Sequence, residues 1–427
     1  MNYAQARQYL DRFPRFEVKP GLARISALVQ ALGNPHLTYP TIHVAGTNGK
    51  GSVVAMLDSV LQHAGFRVGR FTSPELTDFR DRIAVNGSWI EAQTFADIVS
   101  DLCPLLDAMD ECPSQFEVIT VVAFEHLRRE RVQFGVIEVG LGGRFDATNI
   151  VAPTLGILTN VALDHQALLG DTVEKIAWEK AGIAKPGIPL VLGSVPASVR
   201  EIVVAECEAV GAHLCEPLPS SIQVRSQDWG GLAMEIQEET RRWSLKLPLL
   251  SSQQVDNLAL VLEAITQLRA TGIAVPEPAV VDGLQSVRWP GRLECIHDAP
   301  KVVIDGAHNL KAAQSLSKDV QALVPSTEHR RLLFGAYADK DVKGILEVLS
   351  SVFDRIAVCP VASSPRAMSA EELQQHAQAF FPQVSYHPSV CTGVKQLLAT
   401  MGSDDVLFVA GSLRMAAEAI ACLKPRS

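Results

Sequence analysis

The chain has 427 residues, of which 47% are apolar and 20% charged, with a formal net charge of −9. That length exceeds what one hydrophobic core usually supports, so two domains are expected in a folded globular protein of ordinary composition. The acidic balance argues against a nucleic-acid backbone as partner, since no basic excess is available to displace counterions, but it leaves small anionic ligands open.

The opening "MNYAQARQYLDRFPRF" spreads its charges and has no apolar core, so it does not read as a signal peptide. No apolar run reaches membrane-spanning length. "TIHVAG", after Pro40, is a β-branched run expected as a buried strand. It leads into Gly46, Thr47, Asn48, Gly49, Lys50, Gly51 and Ser52. The usual phosphate-loop fingerprint asks for four residues between its glycines and a hydroxyl residue directly after the lysine. Here only Thr47 and Asn48 separate Gly46 from Gly49, and Gly51 stands between Lys50 and Ser52. The physical requirements are still present: glycines that aim N–H groups inward, a lysine as point charge, and a hydroxyl at a helix start. The competing reading is an ordinary glycine-rich turn with Lys50 idle. Dinucleotide binding is disfavoured, because the loop has no GxGxxG and "GLGGRF" also misses that spacing.

From Ser52 onward, Val53, Met56, Leu57, Val60 and Leu61 keep helical spacing, and Gly65 suits the helix end. "FRVGRFTS" reads as a strand that delivers Ser73, and "SQFEVITVVAFEHLRRERV" as a helix with a basic C-terminus. "FGVIEVG", "TLGILTN" and "IPLVLGSV" are further strands, so a mainly parallel sheet with helices on both faces is expected. Glu138 sits inside an apolar strand, which is costly unless it is paired or bound to a cation. Taken singly, Ser73, Glu138 and His165 read as a helix cap, an ion-paired acid and a satisfied histidine. Together, at the ends of neighbouring strands, they form the ligand crevice of an open α/β sheet, with hard oxygens that suit magnesium. Lys180, in "WEKAGIAKPG", reads from spacing alone as a solvated lysine paired with Glu179.

"SIQVRSQDWGGLAMEIQEETRRWSLKLPLL" alternates around a Gly-Gly turn, which predicts a small antiparallel excursion. Trp289-Pro290-Gly291 reads as a hinge, giving expected domains of 1–287 and 288–427. Beyond it, "KVVIDGAHN", "RRLLFGAYADKD", "DRIAVCPVA" and "DVLFVAGS" predict a second, smaller Rossmann-like α/β domain. Asp305, His308 and Asn309 follow its first buried strand, although turn chemistry alone would explain Asp-Gly. Arg292 is placed to reach a phosphate. "ADKD" and "GSLRMAAEA" read equally well as a turn plus a helix start. The eight cysteines are scattered without a CxxC pair, the pattern of thiols in a reducing compartment.

Taken in order, "HVAGTNGKGS", "IEVGLGGRFDATN", "VALDHQALLG", "EKAGI", "WPGRLE" and "VIDGAHN" resemble the folylpolyglutamate synthase/dihydrofolate synthase family of Mur-type amide ligases, from about residue 3 to residue 418. The resemblance implies a P-loop ATP-binding domain and a second ligase domain. It implies that the γ-phosphoryl of ATP passes to a carboxylate of a folate or dihydropteroate, and that L-glutamate attacks the acyl phosphate. The compressed loop Gly46–Ser52 then cradles phosphates, with Lys50 as a catalytic charge. Ser73 and Glu138 match one magnesium site, and Glu138 and His165 a second. Lys180 matches a lysine that relatives carry N-carboxylated, which overturns the bland reading of it. Asn257, Arg292 and Asp305 match nucleotide contacts, and His308 falls near the glutamate site. Two departures bear on dihydropteroate: Glu75 in "SPEL" stands where many members have histidine, and "FPRFEVKPGLARI" lacks the family's Asp-x-Gly-Leu. A cytoplasmic monomer without membrane or nucleic-acid partners is expected. A cell-wall Mur ligase, a nucleotide-dependent switch and a plain kinase are the alternatives.

Overall fold

Near-continuous Val, Ile and Leu runs can lie in a sheet only if helices cover both of its faces. The computed structural model, which describes residues 1–15, 21–217, 221–238, 241–361 and 366–423, places the first such runs accordingly. The strands are β1 (Thr41–Ala45), β2 (Val68–Phe71), β3 (Ile83–Val85), β4 (Ser88–Trp89), β5 (Phe134–Glu138), β6 (Leu155–Leu158), β7 (Pro189–Leu192) and β8 (His213–Cys215). They form one sheet in the order β4-β3-β2-β5-β1-β6-β7-β8, parallel except at the β2-β3-β4 edge. β1, β5 and β6 are buried at every residue.

Register matters more than strand count here. Val44 lies beside Glu138, Ala45 beside Leu158, and Phe71 beside Ile137. The residues after β1, β2, β5 and β6 therefore emerge along one edge, with β1 central between neighbours that lie far apart in sequence. That is the crossover point where open α/β sheets bind ligands. The helix Lys50–His63 follows β1 and buries Met56, Leu57, Val60 and Leu61 completely. The helix Glu277–Ser286 packs on it so closely that a Cβ at Gly283 would stand 2.6 Å from Val60 Cα.

The hairpin β3–β4 lies outside the sequence expectation, although its signal is present. Asn86 and Gly87 have φ of 47° and 76°, the Asn-Gly geometry of a tight hairpin.

Chain contacts divide the molecule into Met1–Ser220 with Asp256–Ser286, and Ser221–Val255 with Val287–Ser427. The antiparallel excursion is a three-stranded sheet of β9 (Ile222–Asp228), β10 (Gly231–Glu238) and β11 (Arg241–Leu247). It groups with the second unit, whereas the expected boundary at 287/288 assigned it to the first. The cause is long-range: Gln227 Nε2 donates to Asp319 Oδ1 at 2.9 Å, and Lys301 Nζ lies 5.4 Å from the Trp229 ring centre. Residues 16–20 of "FPRFEVKPGLARI" and 239–240 of the excursion lie outside the described residues.

The second unit also holds β12 (Glu294–Asp298), β13 (Lys301–Ile304), β14 (Arg330–Phe334), β15 (Arg355–Val358), β16 (Gln383–Tyr386) and β17 (Val406–Ala410). Their order is β12-β13-β17-β14-β15-β16, parallel apart from β12. One cysteine expectation is corrected: Cys391 and Cys422 are disulfide-bonded, while six cysteines remain thiols. They are 31 residues apart, on the packed helices Val390–Leu398 and Leu413–Leu423, with Cα atoms 5.3 Å apart. No sequence spacing announces that proximity. No described helix is long and apolar enough to cross a membrane.

Candidate active site

The loop after β1 turns twice through backbone that only glycine adopts easily. Gly46 has φ 144° and Gly49 φ 86°. A Cβ at Gly46 would overlap Thr159 Oγ1, and one at Gly49 would overlap Asn257 Oδ1. Both glycines are thus required by close neighbours as well as by conformation. Asn257, only 2% exposed, packs against the loop that the sequence expected it to serve.

The segment after β6 ties the loop down. Thr47 N donates to Asn160 O at 2.9 Å, and Asn48 N to Asn160 Oδ1 at 3.0 Å. Asn160 Nδ2 and Thr159 Oγ1 donate to Asn48 O at 2.9 and 2.7 Å. Thr47 Oγ1 accepts from Ala162 N at 3.0 Å. With its side chains and carbonyls held from outside, the loop is preorganised around Lys50, whose Nζ donates to Gly46 O at 3.0 Å and Thr47 O at 3.3 Å.

Glu138 ends β5 with 4% of its surface exposed. Its Oε1 lies 4.0 Å from Lys50 Nζ, and its Oε2 accepts from Ser73 N at 3.3 Å. The sheet register therefore brings Ser73, Glu138 and Lys50 to one place. A carboxylate and a hydroxyl-bearing residue side by side are a hard-oxygen set that fits magnesium. Among the described residues no group of three or more His, Cys, Asp and Glu side chains has metal-site geometry. Magnesium does not require one, because water and phosphate oxygens usually complete its shell.

Lys180 departs most from a spacing-based reading. It is 4% exposed, and its Nζ donates to Gly46 O at 3.0 Å. Burial pushes its pKa down to about 7, aided by the Lys50 charge and opposed by Asp164, Asp146 and Glu179. The physical expectation of a solvated partner for Glu179 is thereby corrected: the helix Val173–Ala181 packs Lys180 under the phosphate loop. "GLGGRFD" closes over the same helix, since a Cβ at Gly143 would stand 2.9 Å from the Lys180 carbonyl.

His165 begins the short helix Gln166–Leu169 in left-handed backbone, φ 50°. Its Nε2 lies 4.0 Å from Asp164 Oδ1, and its side chain is 37% exposed against 9% for Asp164. Asp164 is the residue of this pair that acts electrostatically on Lys180. Sequence reasoning passed over it, and also over Asn160 and Asp146.

Glu75 is not an isolated acid. Arg82 Nε donates to Glu75 Oε2 at 2.8 Å, with a second contact from Nη2. Burial pushes the Glu75 carboxyl up, but Arg82 and Arg7 more than offset this and hold it below the ordinary range.

In the second unit, Asp305 is gripped by backbone donors: Leu293 N reaches Oδ2 at 2.8 Å and Ala307 N reaches Oδ1 at 2.7 Å. Burial raises its pKa, and Arg292 opposes the rise. Arg292 presses against Gly306, where a Cβ would stand 2.6 Å from Nη1. His308 Nδ1 donates to Gly306 O at 2.8 Å. Asn309 Oδ1 caps the helix Leu310–Leu323. The structure thus places Asp305 and His308 on the turn after β13, with Arg292 packed against that turn at Gly306.

Residues 44–264 match the Mur ligase middle domain, and residues 291–413 the glutamate ligase domain of Mur ligases. The dihydrofolate synthase/folylpolyglutamate synthase of Bacillus subtilis (strain 168) is 33% identical over 420 residues, covering 96% of each chain. The chain belongs to the folylpolyglutamate synthase/dihydrofolate synthase family. Mycobacterium tuberculosis folylpolyglutamate synthase complexed with ADP superposes with a TM-score of 0.91 at 31% identity, over 99% of this chain and 98% of that one. E. coli FolC in complex with DHPP and ADP gives 0.86 at 31% identity, over 99% and 97%. Asn160 holds the loop at Asn48, and Asp146 holds the turn after β5 at Leu141. A hint of the supporting set lay in their position: each follows a buried strand within a few residues of a fingerprint residue.

Proposed function

We propose that this protein is an ATP-dependent ligase that joins L-glutamate to a folate, and to dihydropteroate as well, through an acyl phosphate. The observation that carries this reading is the convergence of Lys50, Glu138 and Ser73 on a preorganised glycine loop with buried Lys180 beneath it.

Phosphoryl transfer needs positioning and charge neutralisation more than covalent help. In our reading the backbone N–H groups of Gly49 to Ser52 bind the ATP phosphates, while those of Thr47 and Asn48 are held by Asn160, and Lys50 offsets charge that grows on the transferring group. Magnesium supplies further charge neutralisation when bound. Ser73 and Glu138 would hold one ion, and Glu138 with His165 a second. Lys180, with its proton loosely held at neutral pH, is suited to carry an N-carboxyl group, which would replace a buried cation by an anion. Residues 1–287 then serve ATP and the acyl substrate. Arg292 and Asp305, which the family resemblance assigns to the nucleotide, and His308, which it assigns to glutamate, belong to the second unit. The pairing of Glu75 with Arg82 supports dihydropteroate as a substrate, because the added acid is already neutralised. We take the protein to act as a cytoplasmic monomer, without nucleic-acid partners.

The test is phosphate release from ATP with magnesium and L-glutamate, comparing dihydropteroate with a reduced folate monoglutamate and identifying products by mass. Amide formation with both supports the bifunctional reading. Turnover with the reduced folate alone would make the enzyme a dedicated polyglutamate synthase. Turnover with neither would overturn the proposal and turn attention to the Mur-type cell-wall reaction.

A further inference from the structure

A chain of buried polar side chains runs beneath the site and plays no part in the reaction as described above. His43, on β1, is fully buried, with Ile137 and Gly156 as its neighbours on β5 and β6. Its Nε2 lies 2.8 Å from Thr148 Oγ1. That hydroxyl donates to Asp146 Oδ1 at 2.5 Å, and Thr148 N adds a second bond to the same oxygen at 3.0 Å. Asp146 Oδ2 accepts from Leu141 N at 2.8 Å. Leu141 is three residues after Glu138, so the far end of the chain pins the turn by which the strand leaves Glu138.

Proton accounting fixes the direction of these bonds. Burial raises the Asp146 pKa, but its oxygens also accept from Thr148 N and Leu141 N, which favour the carboxylate, so the one hydroxyl proton of Thr148 goes to Asp146. Toward His43 the hydroxyl can only accept, so His43 must carry its proton on Nε2. Nδ1 is then a bare acceptor, and it has no hydrogen-bond partner. A histidine that leaves one buried nitrogen unsatisfied is a costly residue for simple packing. Leucine or methionine would fill the volume without that cost.

We infer that His43 is a positioning residue for Glu138, acting through Thr148 and Asp146 to hold the turn at 140–141, where a supporting hydrogen-bond donor is worth more than an apolar filler. The inference rests on the proposed role of Glu138. Outer supports of this kind typically change metal affinity or activity by about 10–100-fold when removed.

The experiment compares His43→Leu, which keeps bulk but loses the donor, with His43→Gln, which keeps an N–H near the Nε2 position. Two readouts are taken: kcat and KM for ATP, and binding of Mn2+ to the ADP complex by calorimetry. His43→Leu should weaken Mn2+ binding and lower kcat by about tenfold each, leave ADP affinity without divalent cation unchanged, and be largely rescued in His43→Gln. Equal impairment in both variants, or Mn2+ binding unchanged in His43→Leu, would overturn the inference. If His43→Leu does not fold, Thr148→Val against Thr148→Ser asks the same question of the intervening hydroxyl. Equal behaviour of that pair would overturn the inference too. Because the Mn2+ readout does not depend on amide formation, failure of the parent enzyme to ligate glutamate would count against the proposed function and leave this inference to its own result.

Discussion

Replacing Lys180 by methionine removes a buried amine that the fold holds at a pKa of about 7, against an ordinary value of 10.5. The sign follows from which state binds more protons. Between pH 7 and 10.5 the unfolded chain keeps the Lys180 proton that the folded chain has lost, so stability rises with pH across that window. Below pH 7 both states are protonated and the full penalty of burying the charge remains. With about 1.4 kcal/mol per pKa unit, the penalty is about 4 kcal/mol at pH 7 and about 2 kcal/mol at pH 9. The bond to Gly46 O lost in Lys180→Met is worth roughly 1–3 kcal/mol and is nearly constant with pH, so it shifts the offset but not the slope. The stability difference between Lys180→Met and the parent should therefore move against the variant by about 2 kcal/mol between pH 7 and pH 9. Urea unfolding of both proteins at several pH values, in buffers free of bicarbonate, measures it. The variant should at the same time have lost ligase turnover. A difference that stays flat with pH would refute the reasoning, since the amine would then be as easily charged in the fold as in water.

The remaining predictions concern the loop and the acyl-substrate side. Gly49→Ala meets both a left-handed backbone, costing about 1–2 kcal/mol, and the Asn257 side chain, so ADP affinity by calorimetry should fall more than about tenfold. Gly65→Ala, with φ +90° and nothing within 4 Å, bears the same strain alone and should lower the melting temperature without touching ADP binding. Asn160→Ala removes two hydrogen bonds to Asn48, about 2 kcal/mol together, which predicts roughly thirtyfold weaker ADP binding with the fold intact by circular dichroism. Arg82→Ala should raise the KM for dihydropteroate more than Glu75→Gln does, since it leaves Glu75 charged without its partner. The pair is partly exposed, so each effect should stay near about 1 kcal/mol, and the double variant should recover part of the loss.

Much of this protein was legible in one dimension because buried strands and glycine loops leave local signatures. The runs "TIHVAG", "FGVIEVG" and "TLGILTN" became β1, β5 and β6, and the compressed loop lies between β1 and the helix whose apolar spacing begins at Ser52. Gly46 and Gly49, expected as loop glycines, take positive φ. An acid in the apolar strand β5 marked Glu138 as needing a partner, and Lys50 and Ser73 stand beside it. What local pattern could not decide was everything set by strand order and by burial from a distance. Sequence alternation does not say that β2 lies beside β5 or β1 beside β6, and only those pairings bring Ser73 to Glu138 and Asn160 to Asn48. The state of Lys180 depends on the helix that carries it being packed under Gly46, and spacing alone made it a surface lysine. The grouping of β9–β11 with the second unit rests on Asp319, and the Cys391–Cys422 bond on two helices meeting across 31 residues. Dielectric environment and long-range proximity are properties of the packed chain, and no window of sequence contains them.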